Sequence, residues 1–379
     1  MKIINIVENL DKGAVENWLV RVFIESKKIE PDWEWTFYCL LGKPGRLNEI
    51  VENSGGKIVY SPVSISNKLL FLMHLRKALQ AGNYDIVHSH HDYLSGFYSL
   101  AMLGLSFKNT ILHIHNTDEA LPVGNPYLHK VLLPILKWIG VGMNKTIIGI
   151  SEHTLETFIG KSKRLKQKAS VLYYGISLNQ FQADVDSQAF RAEVSLPNTA
   201  KIMLFIGRMN EFKNPLFVVE VLAEILKKRD EVYAVFVGEG DESGKVVQKA
   251  KELDLYDRIR ILGWRNDSAR IMKSSDVFIF PRLEHPKEGL GLVVVEAQAA
   301  ALPMLITHAI VKDAIVIEKL AFYMELKNNP KDWANQVDKI ISGPKIISNE
   351  DACSLMTQSR FDLRIATLNL LNLYSPKLV

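Results

Sequence analysis

EGLGLVVVEAQAAALP, residues Glu288 to Pro303, is the stretch that decides the fold. It follows a strand-like run, SSDVFIFP (Ser274 to Pro281), and a short polar loop. A strand, a loop and an apolar helix in this order predict one unit of a parallel α/β sheet. The helix opens with small residues, and it has one carboxylate just before it, Glu288, and another in its second turn, Glu296.

The start of this helix has the properties of an anion site. The first N–H groups of a helix lack partners within the helix and carry the positive end of its dipole. Gly289 and Gly291 allow a ligand to approach that backbone closely. Eight helical steps would separate Glu288 from Glu296 by roughly 12 Å, about the reach from sugar to ribose in a nucleotide-diphosphate sugar. An ordinary buried crossover helix with one exposed glutamate fits the spacing equally well.

Composition indicates a soluble protein of two domains. A chain of 379 residues is long for one core, and 47% hydrophobic and 23% charged residues are ordinary for a globular protein. The net charge of +4 is too small to indicate nucleic-acid binding. Cys39 and Cys353 have no metal-ligand spacing, which fits a reducing cytoplasm. The N-terminal MKIINIVENL predicts a first strand rather than a signal peptide.

The N-terminal half repeats strand–helix units, which predict a mostly parallel sheet. Gly13 lies in the first strand-to-helix loop, at the sheet edge that faces a ligand crevice in such folds. The apolar stretch Val131 to Met143 is too short to span a bilayer and predicts a buried or interfacial helix. The basic run Lys161 to Lys168 is either a solvated face or a contact with anionic lipid headgroups.

Two later strands end in polar tips, one with His88 and His90 and the other with His113, His115 and Asn116. In an open parallel sheet both tips lie at the edge of the first loop. Three interpretations are open. Paired H-x-H motifs occur in metal sites, although the later strands offer no further ligands in a matching place. The tips could instead form a polar acceptor pocket with one functional histidine, or hold histidines satisfied by neighbouring backbone, which we favour for His113.

The C-terminal half begins a second series of strand–helix units with the loop GRMNEFK. Asn214 is predicted to cap the next helix, with Pro215 in its first turn. Arg208 and Lys213 flank that helix start, and two fixed cations at a helix N-terminus make a diphosphate site. Two solvated surface cations are the alternative.

Several motifs of other enzyme classes are excluded. The glycines of VGEGDESG (Val237 to Gly244) miss the G-x-G-x-x-G spacing, and their acidic neighbours would repel a pyrophosphate. The chain has neither a G-x-x-x-x-G-K-[ST] loop nor a G-x-S-x-G elbow.

The polar stretch 184–199 lacks hydrophobic periodicity and predicts a linker. This linker separates domains at 1–183 and 200–355 and leaves 356–379 as a C-terminal helix.

Over nearly its whole length the chain resembles the retaining glycosyltransferases of family 4, which have the GT-B fold. The opening stretch matches the family's E-x7-E signature at Glu288 and Glu296, and GRMNEFK matches its G-R-x-x-x-x-K segment at Gly207, Arg208 and Lys213. The resemblance implies two Rossmann-like α/β domains whose parallel sheets face each other across a cleft. It also implies a C-terminal helix that crosses back to the N-terminal domain.

The resemblance implies a role for each matching residue. Arg208 and Lys213 would neutralise the donor diphosphate in place of a metal, and Glu296 would accept hydrogen bonds from the ribose. His115 stands in the place of the family's active-site histidine, near the reactive face of the sugar. The other implied contacts are Glu288 and the backbone of Gly289, Leu290 and Gly291 on the donor sugar, Gly13 and Gly207 on the phosphates, and His88, His90 and Asn116 on the acceptor side.

These roles imply an enzyme of the hexosyltransferase type that retains anomeric configuration and needs neither a metal nor another cofactor. It would move a sugar from a nucleotide-diphosphate donor, with UDP favoured by family frequency, to a saccharide or lipid-linked saccharide in polysaccharide or glycoconjugate synthesis. We expect it in the cytoplasm, with peripheral contact to the inner face of the membrane. A metal-dependent hydrolase and a non-catalytic nucleotide-sugar-binding protein are the alternatives.

The chain departs from the family's pattern at three places. Lys12 replaces one of two glycines that are common in the first loop, and Ala301 stands where a glycine usually precedes the proline. The segment THAIVKDAIVIE, residues 307–318, replaces a glycine-rich segment that contains a glutamate. These departures bear on the phosphate contacts, on the helix end and on contacts to the donor base.

Overall fold

The protein is described by a computed structural model that covers the backbone of residues 1–11, 13–117 and 128–375, and all side chains of these except 128 and 129. The Lys12 departure lies outside the described residues. The chain forms two compact units, one of Met1–Ile176 with Leu363–Val379 and the other of Ser177–Asp362.

The first unit is built on a parallel sheet. Its seven strands among the described residues are β1 (Lys2–Val7), β2 (Glu34–Cys39), β3 (Lys57–Tyr60), β4 (Ile86–Ser89), β5 (Asn109–Ile114), β6 (Thr146–Gly149) and β7 (Ala169–Val171). They lie in the order β3-β2-β1-β4-β5-β6-β7, and every neighbouring pair is parallel. The order reverses between β1 and β4, which makes this pair the topological switch point where α/β sheets bind ligands.

Helices connect these strands, as the alternating sequence pattern predicts. The first helix begins after Gly13 and buries Trp18, Leu19 and Phe23 against the sheet. Ser151 caps the sixth helix, because its hydroxyl accepts a hydrogen bond from the Thr154 N–H at 3.1 Å. The described helices are α1 (Ala14–Ile29), α2 (Asn48–Asn53), α3 (Lys68–Gly82), α4 (Leu94–Ser99), α5 (Leu133–Met143), α6 (Glu152–Ile159) and α7 (Lys163–Lys166), with a π-helical turn at Leu128–Leu132.

The second unit has the same construction. Its helices are α8 (Asn179–Gln182), α9 (Ser187–Glu193), α10 (Pro215–Ile225), α11 (Ser243–Glu252), α12 (Ser268–Lys273), α13 (Leu292–Ala299), α14 (Pro330–Ser342) and α15 (Asn349–Thr357). Its strands are β8 (Lys201–Ile206), β9 (Val232–Val237), β10 (Ile259–Ile261), β11 (Val277–Phe280), β12 (Met304–Ile306) and β13 (Ala321–Tyr323). These strands form a parallel sheet in the order β10-β9-β8-β11-β12-β13, so the switch point lies between β8 and β11.

The boundary between the units differs from the predicted linker at 184–199. The division falls after Ile176, and the predicted linker contains α9, which belongs to the second unit. Phe190 on α9 is fully buried, and Asp186 caps the helix by accepting hydrogen bonds from two backbone N–H groups at 3.0 Å. One buried aromatic side chain is enough to dock a short helix, although it produces no periodicity in the sequence.

The last helix, α16 (Leu363–Tyr374), belongs to the first unit and packs against α1. Asn109 Nδ2 donates a hydrogen bond to the Leu373 carbonyl at 2.9 Å, and the Tyr374 hydroxyl lies 2.7 Å from His88 Nδ1. Among the described residues, none of the helices combines the length and the apolar character needed to cross a bilayer.

Candidate active site

The loops after β8 and β11 meet at the switch point of the second sheet. The loop after β8 contains Arg208 and Lys213, and the loop after β11 contains Glu288. The two loops are joined by a backbone hydrogen bond from the Leu283 N–H to the Phe212 carbonyl at 2.9 Å. The sheet topology therefore brings together the charged residues that the sequence singles out, although they are far apart along the chain.

Glu288 is held between two cations. Its Oε2 accepts a hydrogen bond from Lys213 Nζ and lies 3.0 Å from Arg282 Nε. Only 17% of the Lys213 side chain, 18% of the Glu288 side chain and 6% of the Arg282 side chain are exposed. Lys213 Nζ also lies 4.8 Å from the ring centre of Phe280. Arg282 was not predicted as a site residue, although a cation just past an apolar strand was a visible sign.

The three groups determine one another's charge. Burial alone would raise the pKa of Glu288, but Lys213 and Arg282 outweigh burial and hold this pKa below its ordinary value. Burial lowers the pKa of Lys213, and Glu288 opposes that change. With all three groups ionised, the cluster carries one net positive charge in a poorly hydrated place. Arg208 is exposed and makes no ion pair with the described residues, so it adds a second available cation.

The expected geometry of the opening stretch needs a correction. Helix α13 begins only at Leu292, so Glu288 precedes it on a loop and eight helical steps do not separate the two glutamates. The Glu288 N–H donates to the Ala309 carbonyl at 3.0 Å. Gly291 adopts a φ of 80°, a left-handed conformation that favours glycine. Glu296 lies half-buried in the second turn, as predicted.

The backbone of this region is shaped by residues whose side chains serve packing. The Leu290 side chain is buried, so only its backbone is available to a ligand. Asn214 occupies the cap position of α10, but its side chain makes no capping hydrogen bond. Instead, Asn210 Oδ1 accepts a hydrogen bond from the Lys213 N–H at 3.0 Å and fixes the turn that carries Lys213.

The glycines of VGEGDESG have a packing role. A Cβ on Gly238 would lie 2.1 Å from the Gly207 carbonyl oxygen, and one on Gly240 would lie 2.2 Å from the Met209 carbonyl oxygen. The Met209 N–H also donates to the Glu239 carbonyl at 2.9 Å. These glycines let the loops after β8 and β9 pack backbone against backbone, which accounts for them without a dinucleotide.

The departure at Ala301 lies at a strained helix end. Ala301 has a φ of 55°, and the Leu302 and Ala301 N–H groups donate to the Ala297 and Gln298 carbonyls, each at 3.0 Å. This hydrogen-bond pattern is a Schellman motif, whose left-handed position normally carries glycine. Ala301 therefore keeps the motif at a conformational cost.

Replacing Ala301 with glycine is expected to stabilise the protein by about 1 kcal/mol, because the left-handed conformation costs an alanine about that much. Urea unfolding of Ala301→Gly measures the gain. The matched control is Ala300→Gly at the neighbouring position, where φ is −80°. That substitution is expected to cost about 0.5–1 kcal/mol. Equal effects of the two substitutions would contradict the assignment of strain to Ala301.

The unusual segment after β12 is anchored to α13 by the buried Gln298. Its Nε2 donates to the Ala314 carbonyl at 2.8 Å, and its Oε1 accepts from the Val316 and Ile317 N–H groups at 2.7 and 2.9 Å. This side chain thus fixes the loop that replaces the family's glycine-rich segment. The loop also holds the Ala309 carbonyl that accepts the Glu288 N–H.

The histidines of the first unit form a buried hydrogen-bonded cluster. His88 Nε2 lies 3.1 Å from His113 Nδ1, and His90 Nδ1 lies 3.2 Å from His115 Nε2. The ends of the cluster contact the Tyr374 hydroxyl, Asn5 Oδ1 and the Tyr174 hydroxyl. The Trp18 ring packs edge-on against His113 at 5.4 Å between ring centres.

This cluster corrects the expected acceptor-side residues. His88 and His90 are buried, and their ring nitrogens contact neighbouring side chains rather than an open surface. The central strands of a parallel sheet are covered on both faces. The face of β4 that carries His88 and His90 is therefore buried, like the opposite face. His113 is likewise buried, in line with the structural role that we favoured for it.

Asp92 positions the second strand tip. Its Oδ1 accepts from the His115 N–H at 2.6 Å, and its Oδ2 accepts from Asn116 Nδ2 at 2.8 Å. Asp92 itself adopts a φ of 44°, in the left-handed region. His115 is buried, and Asn116 is exposed at the tip. The sequence analysis did not identify Asp92, which lies in the loop after the histidine run.

A pocket of about 380 Å³ opens at the carboxyl ends of β1, β2, β3 and β4. Its polar lining residues are Glu8, Ser61, Ser64 and His91, and its apolar wall includes Leu41, Leu94 and Tyr98. The His91 ring packs edge-on against Tyr98, with 5.6 Å between ring centres. His91 rather than His88 or His90 is therefore the histidine of the run that faces a pocket.

Gly13 stands at the start of α1, where a phosphate contact was expected. A Cβ at this position would lie 1.8 Å from Glu16 Oε2, so the glycine leaves room for the Glu16 carboxylate. Burial, followed by the charges of Glu8 and Asp11, raises the pKa of Glu16. The helix start thus already has a carboxylate beside it, which competes with a phosphate for the same N–H groups.

Burial keeps the clustered histidines neutral. It lowers the pKa of His88 to about 3 and that of His91 to about 4. The pKa values of His90, His113 and His115 are also well below the ordinary value, through burial first and then through neighbouring histidines. At pH values well above these, the groups take up protons only when the unit unfolds.

Protein stability is therefore expected to decrease as the pH falls below the ordinary histidine pKa of 6.5. The pKa values of these histidines are lower in the folded protein than in the unfolded chain. Their contribution to stability is therefore fully present above pH 6.5, and it is lost as the pH falls towards about 4 for His91. Five histidines have depressed pKa values, and each proton taken up on unfolding adds about 1.4 kcal/mol per pH unit to the slope. Urea unfolding between pH 7 and pH 5 measures this slope.

Two variants test the origin of that slope. His91→Asn should reduce proton uptake by about one, whereas Ala300→Gly, which removes no ionisable group, should leave it unchanged. A free energy of unfolding that does not change between pH 7 and pH 5 would contradict the prediction.

The same cluster contains the metal candidate of the sequence analysis. One ring nitrogen from each of His88, His90 and His113 lies within 4.8 Å of the others. A catalytic metal needs a coordination position that water and substrate can reach, but these three side chains are buried. Their geometry favours a structural hydrogen-bonded network over a hydrolytic centre.

Two parallel α/β units, each with its polar residues at a topological switch point, define a two-domain Rossmann-like enzyme. The family model described as Glycosyl transferases group 1 matches residues 186–353, and the model described as Glycosyltransferase Family 4 matches residues 31–180. The chain therefore belongs to the group 1, family 4 type of glycosyltransferases, which have the GT-B fold. The resemblance seen in the sequence is confirmed.

Similar proteins span nearly the whole chain. The capsular polysaccharide biosynthesis glycosyltransferase CapH of Staphylococcus aureus is 26% identical over 100% of this chain and 99% of CapH. The Escherichia coli UDP-Gal:alpha-D-GlcNAc-diphosphoundecaprenol alpha-1,3-galactosyltransferase is 24% identical over 89% of this chain and 87% of its own. Anabaena HepE, solved with UDP, has a TM-score of 0.81 at 17% identity over 99% of this chain and 100% of HepE, which shows the fold alone.

Proposed function

We propose that this glycosyltransferase moves a hexose from a UDP-sugar to a saccharide or lipid-linked saccharide, with retention and without a metal. The observation that carries the proposal is the cation cluster at the switch point of the second sheet. Lys213 and Arg282 meet there on Glu288, and Arg208 is exposed nearby on the same loop as Lys213. Fixed cations in a poorly hydrated place stabilise a departing diphosphate, which is the task of a metal in other transferases.

Glu288 is suited to orient the donor sugar and poorly suited to attack it. Its Oε2 is occupied by two cations, and its lowered pKa makes the carboxylate a weak base and a weak nucleophile. Its Oε1 accepts no hydrogen bond from the residues that the structure describes, so it is available to a sugar hydroxyl. This supports retention without a covalent glycosyl-enzyme on this carboxylate. Glu296 on α13 is proposed to bind the ribose, as the family signature implies.

The acceptor is assigned to the pocket lined by Glu8, His91 and Tyr98. An apolar wall with a few polar groups suits a sugar ring, which has apolar faces and hydroxyl edges. His115, held neutral by burial and oriented by Tyr174 and His90, is proposed as the active-site histidine that the family resemblance implies. The names of CapH and of the E. coli galactosyltransferase support polysaccharide or glycoconjugate synthesis and a lipid-linked acceptor.

A donor panel tests the proposal. UDP, GDP and ADP are compared by thermal shift, and sugar nucleotides are compared by release of free nucleotide in the presence and absence of a chelator. UDP at 100 times its dissociation constant should stabilise the protein by about 2.7 kcal/mol, and the chelator should leave turnover unchanged. If none of the three nucleotides shifts the melting temperature at millimolar concentration, the proposal is contradicted.

A further inference from the structure

The Lys213 ammonium has one charged partner. It donates a hydrogen bond to Glu288 Oε2 and lies 4.8 Å from the centre of the Phe280 ring, and it makes no other hydrogen bond in the described part of the chain. An ammonium has three donors, so this contact leaves the others available to a ligand. A diphosphate that recruits Lys213 therefore competes with Glu288 for the same positive charge.

Separating Lys213 from Glu288 would be costly if no other cation were present. Only 18% of the Glu288 side chain is exposed. A buried charge that loses its sole partner is strongly destabilised. The attraction between Lys213 and a diphosphate would then be offset by the cost of leaving this carboxylate without a counter-ion. A second cation beside Glu288 removes that cost.

Arg282 is that second cation, and the protein holds it from two sides. Its Nη2 donates a hydrogen bond to the Pro286 carbonyl at 2.5 Å, and its own carbonyl accepts one from the buried Thr307 hydroxyl at 2.7 Å. Only 6% of the Arg282 side chain is exposed. Arg282 is therefore fixed beside Glu288, whereas the ammonium of Lys213 sits on a flexible four-carbon stem.

The contact between Arg282 and Glu288 can become stronger than it is in the structure. Arg282 Nε lies 3.0 Å from Glu288 Oε2, but its N–H is not aligned for a hydrogen bond and finds no other acceptor among the described residues. A buried donor without an acceptor is costly. When Lys213 leaves Oε2, a small rotation of the carboxylate towards Arg282 would satisfy this donor.

We propose that Arg282 is a positioning residue that keeps the Glu288 charge balanced while Lys213 turns to the donor diphosphate. The exchange is one of ion pairs alone: Lys213 replaces Glu288 with the diphosphate, and Glu288 keeps Arg282. The carboxylate then stays ionised and in place for the sugar. This inference rests on the proposed function, in which the cation cluster binds the diphosphate of a sugar nucleotide.

Calorimetric titration with UDP and with inorganic pyrophosphate tests the exchange. In Arg282→Met, Lys213 and Glu288 remain as a neutral pair. UDP should bind this variant at least about tenfold more weakly than the unchanged protein, because recruiting Lys213 now leaves Glu288 without a counter-ion. Arg282→Lys keeps the cation and should recover most of the affinity. Pyrophosphate should give the same order of variants, because the effect depends on the diphosphate and not on the base.

A double variant separates this role from a direct phosphate contact and from a structural role. Arg282→Met with Glu288→Gln removes the carboxylate together with its fixed partner and leaves Lys213 uncommitted. Its affinity for UDP should therefore return to that of the unchanged protein, although two residues of the cluster are lost. If Arg282 contacted the phosphates itself, or served only the fold, no such recovery would occur.

Two further variants complete the set. Glu288→Gln alone should bind UDP more tightly than the unchanged protein, because Lys213 is no longer held, and this arm does not require Arg282→Met to fold. Arg229→Met is the matched control. Arg229 also pairs with a carboxylate, Glu231 at 3.0 Å, but it precedes β9 and so lies at the opposite edge of the sheet. Its loss should leave UDP binding unchanged. Circular dichroism and thermal melting establish that each variant is folded.

Three outcomes would overturn the inference. The first is unchanged UDP affinity in Arg282→Met, and the second is a double variant that binds UDP as weakly as Arg282→Met. The third is Glu288→Gln binding UDP no more tightly than the unchanged protein. With UDP bound by the unchanged protein, these outcomes reject the role of Arg282 and leave the proposed function standing. If the unchanged protein binds neither UDP nor pyrophosphate, the proposed function itself is rejected.

Discussion

A Lys213→Met variant is expected to lose about 10²–10³-fold in kcat, because a fixed donor at the departing charge contributes that much to turnover. Methionine keeps the length of the side chain and removes the cation. Glu288 retains Arg282 as a partner at 3.0 Å, so the fold should remain intact. Release of nucleotide from a UDP-sugar, measured over a range of substrate concentrations, gives kcat and KM separately.

Lys227→Met is the matched control for that variant. Lys227 also pairs with a glutamate, Glu224, but its side chain is 66% exposed and lies in the turn after α10. Exposed ion pairs of this kind contribute little to stability, so the activity and the free energy of unfolding should both stay unchanged. Normal kcat in Lys213→Met would mean that this lysine has only a structural role in the cluster.

Most strands could be predicted from the sequence because they are buried on both faces. Runs such as KIINIV (Lys2–Val7) and VFIF (Val277–Phe280) have the continuous apolar character of central parallel strands. The helix that follows Asn329 also obeys a local rule that the sequence shows, since Asn329 caps it and Pro330 occupies its first turn. The parallel order of the sheets then places Lys213 beside Glu288, across 75 positions of sequence.

The partners of the site residues could not be predicted in this way. Arg282 lies in a loop of mixed charges, and only tertiary packing shows that its guanidinium is buried against Glu288. Asp92 accepts a hydrogen bond from the backbone N–H of His115, 23 residues along the chain, and no local sequence pattern indicates this contact. His88 and His90 share a face by alternation, but their burial depends on Trp18 and Tyr374 from distant helices.

Replacing Glu288 with glutamine should have the largest combined effect. Glutamine preserves shape but leaves Lys213 and Arg282 as two buried cations without a counter-ion, which costs about 3 kcal/mol of stability. Turnover should also fall, because the carboxylate that orients the sugar is lost. Urea unfolding and a UDP-sugar assay measure the two effects. Glu325→Gln, at a 40% exposed glutamate paired with Lys327, is the control and should change neither.

The net charge of the cluster allows two further tests of this prediction. Pyrophosphate or UDP supplies the negative charge that Glu288→Gln lacks, so either ligand should stabilise this variant more than the unchanged protein. Adding Lys213→Met to Glu288→Gln returns the cluster to one positive charge and should recover part of the lost stability, without recovery of turnover. A double-mutant cycle on the free energy of unfolding measures that coupling. Additive losses would show that Lys213 and Glu288 do not share a buried charge balance, and the cation cluster would then no longer support a diphosphate site.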